Sequence, residues 1–242
     1  MINKDLRTQF VWFIALWGIL LSSLALSWWA NAAVHYGYDL FYDVYEIGAH
    51  IDKFAPQNQF ILGLDQLSKQ EHVSLFNQIS AAVHSHGSGL ADIQFKVNGV
   101  VKPLLHRAEV VHLQDVANLI ATLRAAAIFI LLVTALLRAY VFKTKRKPQF
   151  KVQLICLSLM VAFLLAMVLV IGPKEVFYQM HIWVFPDGHQ WFFYYQESLM
   201  STMMKAPDLF GGIAIAIVTG ALILFGLLLL LFTYLFKSLQ FK

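Results

Sequence analysis

Within "AEVVHLQDVANL", Ala108 to Leu119, the residues Glu109, His112 and Asp115 follow one another at three-residue steps. On a helix each step turns the chain by about 300°, so the three side chains fall within an arc of about 120° and can meet in succession. A carboxylate one turn from an imidazole can fix its tautomer and stabilise its protonated form, raising its basicity. Free imidazole titrates at about 6.5, so such a group suits proton transfer near neutrality. A solvated first turn with a capping acid is the alternative for the same three residues. His181 is the natural partner, because it falls on a second polar segment that the topology puts on the same side of a membrane.

The remaining histidines are weaker candidates. His35, His50, His72, His106 and His189 sit in stretches where an exposed or half-buried imidazole is ordinary. His84 and His86 stand two apart beside Gly87, but no third ligand at zinc spacing accompanies them, and "HSHGSG" reads as a flexible connector. No metal site follows. The single cysteine, Cys156, falls in an apolar run and reads as a packing residue, so an intrachain disulfide is excluded. There is no G-x-S-x-G elbow, no H-E-x-x-H and no glycine-rich phosphate loop.

The elements that must position these residues are set by hydrophobicity. The chain is 59% hydrophobic and 13% charged, with a mean hydropathy of +0.65, far from the roughly 25% charge of soluble domains. Four long charge-poor stretches, about Phe10 to Ala33, Ala121 to Phe142, Val152 to Ile171 and Gly211 to Phe236, can each cover a bilayer core of roughly 30 Å. The first is too long for the apolar part of a cleaved signal peptide and reads as a retained anchor.

Orientation follows from Lys and Arg. Lys4 and Arg7 precede the first span, Lys143, Lys145, Arg146, Lys147 and Lys151 lie between the second and third, and Lys237 and Lys242 follow the fourth. These segments alternate correctly to share the cytoplasmic side, with both termini there. Residues 34–118 carry nine acidic against five basic residues, and 172–210 carry four against two, so both are expected to face outward. The net charge of +4 then reports topology, not nucleic-acid binding. Arg124 and Arg138, near opposite ends of the second span, can snorkel to the two interfaces.

The predicted architecture is an all-α membrane core of four transmembrane helices with a small extracytoplasmic α+β cap. Its segments are an anchor at 1–33, a cap at 34–120, the second and third spans with their basic loop at 121–171, a second outward segment at 172–210, and the last span with its tail at 211–242.

Within the cap, the tyrosine-rich run Tyr36 to Phe54 suits a helix along the membrane interface, ended by Pro56. "SKQE", Ser68 to Glu71, is a capping box opening a helix to about Val83, with Val73, Phe76, Ile79 and Val83 on one face. Asn98-Gly99 signals a type I′ hairpin between Ile93/Phe95/Val97 and Val100/Val101. Arg107 to Leu119 returns to helical spacing and runs into the second span. In the other outward segment, Pro173 opens a short helix to His181. Pro186-Asp187-Gly188 between aromatic arms then predicts a second hairpin. Trp183, Trp191, Phe192 and Tyr194 are aromatic residues of the kind expected at the headgroup level.

The four-span layout, E-x-x-H-x-x-D-V at Glu109 to Val116, "YQMHIWVFPDGHQWFF" at Tyr178 to Phe193 and "APDLF" at Ala206 to Phe210 together resemble the integral membrane family that includes bacterial lipoprotein intramolecular transacylase. The resemblance implies an acyltransferase of the bacterial cytoplasmic membrane, working among membrane lipids on a diacylglyceryl-cysteine lipoprotein. An ester-linked acyl chain at the central glycerol carbon moves to the cysteine's own α-amine, with no cofactor and no external acyl donor. His112, oriented by Asp115 or Glu109, is then expected to take the amine proton. His181 stabilises the oxyanion or protonates the leaving oxygen, and the two roles can be exchanged. Trp191 belongs to the aromatic motif beside His181 and is expected to support it. Both reactive groups lie in one substrate, so positioning and proton transfer suffice, and no protein nucleophile is needed. A non-catalytic envelope protein whose cap binds a partner, and a membrane ester hydrolase using the same histidines, are the alternative readings.

Overall fold

The computed structural model describes residues 2–144, 149–206 and 208–240. Lys145, Arg146 and Lys147 of the basic loop, Pro207 of "APDLF" and Lys242 of the tail lie outside the described residues. The described chain is mostly helical, with α1 Ile2–Ala33, α2 Tyr38–Val44, α3 Ile47–Phe54, α4 Lys69–His84, α5 Arg107–Thr144, α6 Phe150–Ile171, α7 Pro173–Val184, α8 Leu199–Thr202 and α9 Asp208–Gln240. Its two strands, β1 Gln94–Val97 and β2 Val100–Pro103, pair antiparallel, with Val97 opposite Val100. The turn between them takes the left-handed conformation that a type I′ hairpin requires at Asn98 (φ 51°) and Gly99 (φ 82°).

Among the described residues four helices are long and apolar enough to cross a membrane: Leu6–Ala33, Arg107–Lys143, Phe150–Ile171 and Asp208–Leu235. They coincide with the four apolar stretches. At 1.5 Å per residue the 38-residue α5 is about 57 Å long, nearly twice the roughly 30 Å of hydrocarbon. The charge-poor part from Ala121 to Phe142 fills that thickness. The first turns, with Arg107, Glu109, His112 and Asp115, precede that part.

The chain divides into two compact units. One comprises Met1–Trp28, Arg124–Met180 and Ile217–Lys242. Its helices approach closely at small residues: a Cβ added at Gly18 would meet the Thr134 side chain, and one at Gly220 would meet the Ser27 hydroxyl. Ser27 donates to the Ile217 carbonyl at 2.7 Å. Such small-residue and hydroxyl contacts drive packing where lipid removes the hydrophobic incentive. Trp12, Val141 and Phe232 form a buried cluster, and the Arg138 guanidinium lies over the Phe232 ring at 4.6 Å. Outward, Leu159, Phe163, Leu165, Leu169 and Val170 of α6 are all exposed, an apolar surface that suits lipid rather than water.

The other unit comprises Trp29–Leu123 and His181–Ala216. It has a core of its own, including Tyr38, Ile47, Ile51, Leu64, Phe76, Ile79, Leu104, Leu199 and Met203. Tyr38 stacks on Phe76 with ring centroids 4.0 Å apart and donates its hydroxyl to the Met203 carbonyl at 2.8 Å. α4 opens on the expected capping box: Ser68 Oγ accepts from the Glu71 amide, and Glu71 Oε2 accepts from the Ser68 amide at 2.7 Å. A Ser68→Ala variant is expected to lose about 1 kcal/mol of stability, read as a lower midpoint in thermal unfolding of the solubilised protein.

Three local expectations change. The run Tyr36 to Phe54 is two helices, not one. Glu46 takes a left-handed conformation (φ 51°), and the Tyr45 carbonyl accepts from Lys205 Nζ at 2.7 Å. The break turns Ile47 and Ile51 into the core. The buried face of α4 includes His72 and Leu75 where Val73 was expected, and Val73 is only half-buried. His72 accepts from the Tyr42 hydroxyl at Nδ1 (2.9 Å) and donates from Nε2 to the Leu64 carbonyl (2.8 Å). Burial lowers its pKa, so it serves as a neutral structural bridge.

The second predicted hairpin is absent. α7 continues to Val184 and a turn follows at Pro186–Gly188, but the chain beyond it forms no strand. Its backbone is partnered piecemeal instead. The Phe193 carbonyl accepts from Ser201 Oγ, the Tyr195 carbonyl from Asn58 and Thr202, and the Gln196 carbonyl from the Gln59 amide.

Candidate active site

Helical periodicity places Glu109, His112 and Asp115 along one arc of α5, and the structure gives each a different partner. The His112 ring lies 6.5 Å, centroid to centroid, from that of His181 on α7, with the planes 23° from parallel. Both are buried, at 5% and 8% exposure. That gap is too wide for ring contact. It is narrow enough for one reacting centre to lie within hydrogen-bond reach of both imidazoles.

Three aromatic rings wall the pair. Phe185 sits edge-on to His112 at 5.0 Å and lies 5.1 Å from His181. Trp191 lies 4.8 Å from His181, and Phe193 lies 6.1 Å from His112. All come from the stretch that was expected to be a hairpin.

Burial among these rings, reinforced by His181 and opposed by the charge of Asp115, pushes the pKa of His112 down to about 4. Its Nδ1 is buried without a hydrogen-bond partner. The two acids make their hydrogen bonds elsewhere, and Asp115 acts on the His112 ring through its charge, which raises the pKa against a larger lowering by burial. Glu109, only 1% exposed, accepts from the Leu199 amide at 2.6 Å and the His106 amide at 3.4 Å. Ser198 and Met200 add further hydrogen bonds. Burial nevertheless pushes its carboxyl up to about 7. Glu109 thus fastens the start of α8 to the start of α5. Ser198 completes the junction by capping Met200 and Ser201.

Asp115 turns to His189, whose Nδ1–H donates to Oδ2 at 2.6 Å. No local pattern singles out His189, Phe185, Phe193 or Ser198. Only the PDG turn hinted that this stretch folds back. Of the other histidines, His106 stacks on Phe60 at 4.4 Å and contacts the Glu197 carbonyl through Nε2. His50 reaches the Ser201 carbonyl, and His84 pairs with the Tyr36 hydroxyl at 2.6 Å. Among the described residues no group of three or more His, Cys, Asp or Glu is placed to hold a metal ion. A groove of about 710 Å³ in this unit is lined by other residues, Lys69, Ser74 and Asn77 among them.

The arrangement is two buried imidazoles walled by aromatic rings, one of them kept neutral. That can move protons for a reaction whose nucleophile and electrophile arrive together.

A family model described as lipoprotein intramolecular transacylase Lit matches residues 10–207. No curated protein matches the sequence. The chain is similar in structure to the membrane integral lipoprotein intramolecular transacylase Lit from Bacillus cereus, at 17% identity and a TM-score of 0.64, covering 98% of this chain and 100% of that one. Histidine-to-arginine and histidine-to-alanine variants of the same protein each match at 18% identity and a TM-score of 0.65. Both matches cover 99% of this chain, with 96% and 98% of the respective variants. At these identities the structural likeness speaks for the fold, and the family match spans most of the sequence. The chain belongs to the lipoprotein intramolecular transacylase Lit family.

Proposed function

We propose that this chain carries out its family's acyl transfer at the outer face of the bacterial cytoplasmic membrane, with His112 and His181 as the proton-transfer pair. Residues 34–120 and 172–210 lie outside, as their acidic excess implies, and the basic segments with both termini lie in the cytoplasm. The substrate is a lipoprotein whose N-terminal cysteine carries a diacylglyceryl group. Its α-amine attacks the ester at the central glycerol carbon, and the product is an N-acyl, lyso-glyceryl form.

The observation that carries this reading is the meeting of two buried imidazoles, 6.5 Å apart, in a chain of this family. His112, held neutral by its surroundings, takes the proton from the attacking nitrogen. His181 hydrogen-bonds the oxyanion, receives through the reacting centre the proton that His112 took, and delivers it to the glyceryl oxygen as the bond to the carbonyl carbon breaks, with the Trp191 indole beside it to attract the imidazolium while it holds that proton. Low exposure keeps water from competing with the amine, which favours transfer over hydrolysis.

Mass spectrometry of lipoprotein N-termini from a host lacking such an enzyme tests it. The N-acyl lyso form should appear only when this chain is expressed; free fatty acid without the N-acyl product supports a hydrolase, and no new product a binding role. The pH dependence is also specific. The α-amine titrates at about 8 and is mostly ammonium at pH 7, while His112 stays unprotonated down to about 4. Below the amine pKa, kcat/KM should rise about tenfold per pH unit. His112 itself should add no break at the ordinary imidazole value of about 6.5, so a break there reports the titration of another group, His181 included.

A further inference from the structure

Acyl transfer from an ester to a protonated amine releases a proton. The ammonium starts with three N–H bonds and the amide keeps one. Of the two protons lost, one goes to the glyceryl oxygen as its bond to the carbonyl carbon breaks, and the other must leave the site. Both imidazoles of the pair are more than nine-tenths buried, so neither hands a proton readily to bulk water.

We propose that Asp115 and His189 are the exit relay for this proton, passing it from His112 to solvent. The inference rests on the reaction assigned under Proposed function. Asp115 lies one helical turn beyond His112, on the same side of α5 and near enough for its charge to act on the ring; no hydrogen bond joins the two, so the proton crosses that first step through a water or the bound substrate. Its side chain is 11% exposed and is bonded at 2.6 Å to His189, whose side chain is 40% exposed. Exposure thus rises in steps along His112, Asp115 and His189. With Nδ1–H on the carboxylate, the His189 ring has its other nitrogen available to exchange protons, the geometry by which a carboxylate supports a histidine base. Glu109 offers no comparable way out. It holds the Leu199 and His106 amides, its contact to the His106 ring is longer, at 3.7 Å, and that ring is 16% exposed, tied to the Glu197 carbonyl and stacked against Phe60.

The test uses the full-length purified chain in detergent or bicelles with a synthetic diacylglyceryl-cysteine peptide. His189→Ala and His189→Gln are compared with the unmodified protein in weak buffer and with added imidazole. Gln can still donate to Asp115 but cannot carry a proton. His189 is exposed, so both variants should fold, and thermal unfolding checks this. In weak buffer both should lose roughly tenfold or more in kcat with little change in KM. Both should recover as imidazole is added, because a diffusing base replaces the missing relay. Full activity in both variants, or a loss that imidazole does not restore, overturns the relay. Activity restored by Gln alone also overturns it, since only the tether would then matter. If the unmodified chain forms no N-acyl product, the assigned reaction fails and the relay with it. If it does form product, and His112→Asn does not, the reaction stands and the His189 variants judge the relay alone.

Discussion

Replacing either His112 or His181 by asparagine is expected to lower the rate of N-acyl product formation by about 10²–10⁴-fold, the usual worth of a positioned proton-transfer group. Asparagine keeps a planar polar side chain of similar reach but cannot take or give a proton near neutrality. The loss should fall on kcat, because the aromatic wall of Phe185, Trp191 and Phe193 still receives the substrate. The double variant should be about as slow as the worse single one. Two groups serving the same transition state act as a unit, and their effects do not add. Initial rates by mass spectrometry of the N-terminal peptide, with thermal unfolding as the control for folding, decide the matter. Full retention of rate in either single variant removes that imidazole from the mechanism. Additive losses would mean that the two serve separate steps.

The sequence was legible where structure is governed by neighbours along the chain. Apolar length located all four candidate spans, Ser68 and Glu71 announced α4, Asn98-Gly99 announced the hairpin, and Pro173 announced α7. The arc of Glu109, His112 and Asp115 was legible in the same way. Which partner each would face was not, because those contacts join residues far apart in the chain. Glu109 meets Leu199 and Asp115 meets His189. Helical phase says only that three side chains share a side.

The aromatic stretch after His181 misled for a related reason. Alternating bulky residues around a turn carry the strand signal, yet these residues are used for their rings. Their backbone is satisfied by Asn58, Ser201 and Thr202, which no local rule connects to them. The break at Glu46 was equally hidden, since it is held by Lys205 from the far end of the unit.

Glu109 gives the other large effect, with a sign that depends on what replaces it. Its carboxyl titrates at about 7 in the folded chain against an ordinary value of 4.5. Folding therefore favours its protonated form. The stabilisation this brings is complete below pH 4.5, declines as the pH rises, and is gone above about 7. Glu109→Gln stands in for the neutral acid at every pH: its oxygen keeps the Leu199 amide, and its Nε2 gives up only the long 3.4 Å contact from the His106 amide. At pH 8 this variant should be more stable than the unmodified chain, by up to about 3 kcal/mol at roughly 1.4 kcal/mol per pKa unit. At pH 4 the two should unfold together. Glu109→Ala works the other way, because it leaves the buried Leu199 amide without an acceptor, a loss of about 1–3 kcal/mol for that group alone. It also frees the start of α8 from α5. Because α8 follows directly on the segment carrying Trp191 and Phe193, the alanine variant should lose transfer activity along with stability, whereas the glutamine variant keeps both. Apparent melting temperatures in detergent at pH 4 and pH 8, measured beside product formation, separate these outcomes. A glutamine variant less stable than the unmodified chain at pH 8 would mean that the carboxylate is held ionised by its backbone donors, and that charge, not shape, anchors this corner of the site.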